Sequence, residues 1–84
     1  MWIFNQNKTM FIKCDTVFIR QSMSDKDLYE IRGRRAGREG SDVLGVYERN
    51  VAYEILEWMT SISTARPFIM PKESTAQPFI MLKD

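Results

Sequence analysis

The spacing of apolar residues changes after Tyr47, and that change constrains the fold more than any other feature. Through Tyr47 the apolar residues alternate or run nearly continuously; from Val51 they recur at intervals of three and four. A spacing of two suits a strand and one near 3.6 suits a helix. The chain therefore reads as a series of strands followed by one helix.

Turn residues divide the strand region. Trp2-Ile3-Phe4 is a short apolar run closed by Asn5-Gln6-Asn7-Lys8. Thr9–Cys14 and Thr16–Gln21 are β-branched and aromatic, with Asp15 between them as a turn residue. Residues 1–32 contain no Gly or Pro, which predicts strands without marked bulges. Ser22–Lys26 reads as a polar loop, Leu28–Arg32 as a strand with one wet face, Gly33–Asp42 as a loop and Val43–Tyr47 as a further strand. Val51, Ala52, Ile55, Leu56, Met59 and Ile62 form one helical stripe, with Asn50 as its expected N-cap. Hydrophobic residues at 44% against 27% charged match a globular domain rather than a disordered chain. The expected fold is α+β: an antiparallel meander sheet of five to six short strands, bent or barrel-like, with one amphipathic helix packed on it and a C-terminal edge strand.

After the helix the sequence repeats itself. Residues 63–73 and 74–84 agree at eight of eleven positions, so Pro67-Phe68-Ile69-Met70 returns as Pro78-Phe79-Ile80-Met81. Two copies are too few for a solenoid. The prolines cannot donate to a ladder, which places each copy at a sheet edge or strand start. The organisation predicted is a single meander-plus-helix domain over residues 1–62 and a duplicated tail over 63–84.

Composition removes many chemistries. The 84 residues include no histidine, so no imidazole base or His-ligated metal site can be built from them. Cys14 is the sole cysteine, which excludes an internal disulfide and a cysteine-rich zinc site. It has no histidine to activate it and reads as a buried structural thiol. No stretch approaches the ~18 apolar residues of a membrane span. The expectation is a cytoplasmic protein without cofactor, metal or membrane partner. Asp25 and Asp27 lack the further oxygen ligands of a calcium loop and read as turn residues. Gly33, Gly37 and Gly40 precede a strand rather than a helix, unlike the glycines of a phosphate loop.

The order of parts resembles that of a group of small uncharacterised proteins of Gram-positive bacteria and their phages or mobile elements. The likeness rests on Trp2-Ile3-Phe4-Asn5-Gln6, Leu44-Gly45-Val46-Tyr47, Ala52-Tyr53-Glu54-Ile55-Leu56 and Met70-Pro71-Lys72-Glu73, and covers residues 1–73. Arg49-Asn50 departs from the Thr/Ser cap and two acids expected before the helix, and the second tail copy is extra. The resemblance implies an order of elements and carries no activity.

Two functional expectations follow. The first is a non-enzymatic interaction or assembly module that self-associates, a homodimer being favoured and another protein partner admitted. Its candidate contacts are the tail residues Phe68, Ile69, Met70, Phe79, Ile80 and Met81, which present one apolar strand twice. The alternative is a nucleic-acid-binding accessory protein using Arg32, Arg34, Arg35 and Arg38 of the glycine-containing loop 32–38, with Arg20 extending the patch. Glu39 and Asp42 and a net charge of only +1 weigh against that alternative. The aromatic residues suffice for a small core; a surface for stacking would need several on one exposed strand face.

Overall fold

The computed structural model describes residues 1–61 and 66–72. Its elements are β1 (Trp2–Phe4), β2 (Phe11–Lys13), β3 (Thr16–Gln21), β4 (Leu28–Arg34), β5 (Asp42–Glu48), α1 (Arg49–Ser61) and β6 (Phe68–Ile69). The class is α+β with a single helix among the described residues, as the spacing predicts.

The expected single meander is instead two three-stranded sheets, ordered β2-β1-β6 and β3-β4-β5. Neither closes into a barrel. The break falls between two adjacent residues. Cys14 exchanges backbone hydrogen bonds with Met1, at 2.8 and 2.9 Å, while the next N–H, that of Asp15, donates to the Arg34 carbonyl at 2.8 Å. One residue thus closes the first sheet and its neighbour opens the second. β3, β4 and β5 form an antiparallel meander. β1 pairs antiparallel with β2, but β6 lies parallel to β1, reached through the helix. The tail strand sits at a sheet edge, where its prolines direct it.

Three local expectations are corrected. Gly33 belongs to β4 rather than to the loop. A side chain there would collide with the Cys14 sulfur and come within 3.2 Å of Leu44, so only glycine lets the sheets approach at this corner. Between Ile31 and Arg32 the pairing slips, because Ile31 faces Gly45 while Arg32 faces Val43. Leu44 is the extra residue of that bulge, and Leu44 and Gly45 are both buried. Gly45 also has no room for a side chain, since a Cβ there would lie 2.5–2.8 Å from the Tyr47 ring. Finally, α1 begins at Arg49, directly after β5, which puts Asn50 inside the first turn and not at the cap.

Both sheets and the helix share one core. Ala52, Ile55 and Met59 project from the stripe of α1 into a cluster with Ile3, Ile12, Cys14, Ile31, Leu44 and Tyr47. Ile62, the last residue assigned to the stripe, lies outside the described residues. The tail's first copy completes the cluster. Phe68 and Met70 are buried, and the Phe68 ring meets the Trp58 ring edge-on at 5.5 Å. Domain and tail therefore share a single core through Met70.

Candidate interaction face

Alternation sorts the side chains of the first sheet. Ile3 of β1 and Ile12 of β2 point into the core, so Trp2, Phe4, Phe11 and Lys13 fall on the opposite face. Pairing places Phe4 opposite Phe11 on one side and opposite Ile69 on the other. Trp2 stacks diagonally on Phe11, with centroids 5.0 Å apart and planes at 18°. Phe4 and Phe11 meet at 5.5 Å. The result is a continuous apolar ladder, Ile69–Phe4–Phe11–Trp2. Trp2 remains 44% exposed, Phe11 48% and Ile69 41%. Lys13, opposite Trp2, adds a cation at its margin.

The hairpin loop fixes this register. The Asn5 carboxamide oxygen accepts from the N–H groups of Thr9 and Met10, each at 2.9 Å, and the Asn5 N–H donates to the Met10 carbonyl. Lys8 takes the left-handed backbone conformation that closes the turn (φ 59°). Gln6, the next residue after Asn5, does more than its place in a turn implies. Its N–H donates to the Leu44 carbonyl at 2.7 Å, its side-chain oxygen accepts from Val46 N–H at 2.8 Å, and its side-chain nitrogen donates to the carbonyls of Val46 and Lys72. Gln6 thus takes the place of a fourth strand on the outer edge of β5 and ties the tail to it. The one sequence signal for this role is its place in the opening Trp2–Gln6 motif.

The arginines do not share one loop. Arg32 and Arg34 lie on β4, with side chains on the outer face of the second sheet beside Arg20 of β3. Glu30 lies between two of them, 2.6 Å from Arg32 and 3.2 Å from Arg20, so Arg20 does extend this group. Arg32 also donates to the Ser41 hydroxyl and carbonyl, and only 14% of its side chain is exposed. The Arg34 guanidinium lies 4.9 Å from the centre of the Phe18 ring. Arg35 pairs with Asp42 at 3.0 Å, and Arg38 stands exposed in the turn.

Cys14 is buried, and burial first, then the nearby Asp42, raises its thiol pKa. A thiol held protonated in this way is a poor nucleophile. The Asp25 carboxylate accepts from the Asp27 N–H at 2.9 Å and closes a local turn. Among the described residues no group of three His, Cys, Asp or Glu side chains is placed to hold a metal ion. No helix among them is long and apolar enough to cross a membrane.

Among the described tail residues singled out from sequence, Ile69 alone reaches the apolar ladder, while Phe68 and Met70 fill the core beneath it. Phe79, Ile80 and Met81 lie outside the described residues. Comparison with protein-family models, with curated proteins and with solved structures finds no match.

Proposed function

We propose that this chain is a small non-enzymatic module that self-associates through the outer face of its first sheet, pairing with a second copy as a homodimer. The observation that carries this reading is the ladder of Trp2, Phe4, Phe11 and Ile69, an apolar strip with two of its rings nearly half exposed. A strip of this kind is its own chemical complement, and two-fold pairing sets it against itself while Lys13 stays at the margin. The rings are already stacked on one another within the sheet, so little side-chain freedom remains to be lost on association. A protected thiol suits a reducing compartment, and the cytoplasm is the setting proposed. The resemblance to phage and mobile-element proteins contributes only the order of elements. Nucleic-acid binding through Arg32, Arg34, Arg35 and Arg38 draws less support, because Glu30 and Asp42 already occupy Arg32 and Arg35.

Light scattering across a concentration series tests the reading. The native chain is expected at dimer mass and Phe11→Glu at monomer mass, with an unchanged circular dichroism spectrum. A native chain that stays monomeric, or a folded Phe11→Glu chain that keeps dimer mass, overturns it. Binding of another protein by a monomeric native chain would likewise replace the second copy as occupant.

A further inference from the structure

The groove beside β1 recognises a short stretch of chain by three buried residues, Phe68, Met70 and Pro71, and three backbone groups. Phe68 packs against Trp58, and Met70 is fully buried. The Met70 N–H donates to the Phe4 carbonyl at 3.0 Å, the Pro71 carbonyl accepts from the Tyr47 hydroxyl, and the Lys72 carbonyl accepts from the Gln6 side chain at 3.0 Å. The second tail copy keeps all of these features except the proline. Phe79 and Met81 stand at the same spacing, followed by Leu82 and Lys83, whose carbonyls match those of Pro71 and Lys72. The one change within the contacting stretch replaces the buried Pro71 by Leu82, another apolar residue, at a position whose carbonyl accepts the hydrogen bond.

We propose that residues 78–83 of the same chain are a second occupant of this groove, so that the tail docks in two registers eleven residues apart. Chain length sets the balance between them. Six residues separate Ser61 from Phe68 and seventeen separate it from Phe79. Loop closure scales as the three-halves power of length, which favours the first copy by about five-fold. Docking within the chain prevails over docking between chains. Each chain brings one groove and two tail copies, so exchange between chains fills no groove that was empty and adds the entropy cost of association.

The two registers make Phe68 and Phe79 stand in for one another, and full-length variants measure that redundancy. Urea unfolding is read at concentrations where the chain is monomeric, so the result does not depend on the proposed self-association. Phe68→Ala is expected to lower the folding equilibrium constant by only about six-fold, since the second copy takes the groove. Phe79→Ala is expected to change it by less than two-fold, roughly the share held by the minor register. The double variant loses the full value of a buried phenylalanine, about a hundred- to several-thousand-fold. In the Phe68→Ala chain the Met81 amide gains hydrogen-exchange protection, because it replaces the Met70 amide on Phe4. A Phe68→Ala loss of a hundred-fold or more, with the Met81 amide unprotected, overturns the proposal even if the double variant does not fold. Failure here leaves the aromatic face untouched, and a monomeric native chain leaves the two registers untouched.

Discussion

The two sheets are built alike and finished differently. Each has three strands, and each turns one row of alternating side chains toward the shared core and the other outward. On the second sheet the outward residues of β3 and β4 are mostly charged and largely self-satisfied, since Glu30 holds Arg20 and Arg32 and Arg34 lies over Phe18, with the 38% exposed Val43 of β5 beside them. On the first, the outward row is Trp2, Phe4, Phe11 and Ile69, which meet one another and still leave large apolar areas exposed. The same period of two thus yields one face that is complete in water and one whose burial would lower the free energy. Interaction potential in this chain follows from which polar groups are already paired, and a count of arginines does not reveal it.

The largest expected effect comes from removing what the sheets have in common. Ile55 is fully buried between the helix and the core, and Ile55→Ala should cost about 2–5 kcal/mol of stability. The urea midpoint measures this, and an unchanged midpoint would mean that the helix stripe does not join the two halves. A smaller effect is expected from loosening the link between the sheets. Gln6→Ala leaves the Val46 N–H and the Lys72 carbonyl without the Gln6 side chain, at about 1–3 kcal/mol. Faster hydrogen exchange should then be concentrated at Val46, and protection equal to that of the native chain would show that the edge is closed by other means. The smallest effect belongs to the charged face. Glu30→Gln removes the charge shared by Arg20 and Arg32 but keeps an oxygen that can accept from both, and is expected to cost about 1 kcal/mol, the difference between a charged and a neutral hydrogen bond. If that variant acquires tight, salt-sensitive binding to duplex DNA while the native chain has none, the two faces differ less than this comparison holds, and Glu30 is what masks a phosphate site.

Much of this was legible from local pattern. The stripe from Val51 placed the helix and the inward position of Ile55, and the period of two set Ile3 apart from Trp2 and Phe4, and Ile12 apart from Phe11 and Lys13. The edge position of β6 follows from its prolines. The burial of Cys14 follows from the apolar strand around it. Each of these depends on a residue and its near neighbours along the chain.

Other features depend on partners far away in sequence. Nothing near Asp15 announces that its N–H goes to Arg34, so the division into two sheets could not be read from that segment. Nothing near Phe68 announces a parallel partner sixty-five residues earlier at Ile3. Gly33 looked like a loop residue because the Cys14 sulfur that requires it lies on another strand. The arginines looked like one basic loop until β4 extended through Arg34 and Glu30 came between Arg20 and Arg32. By itself the sequence determined which residues share a face of each strand or helix, because side-chain direction is set by backbone geometry over a few residues. The tertiary structure decided which faces were covered, since burial and pairing depend on segments that meet only when the chain folds.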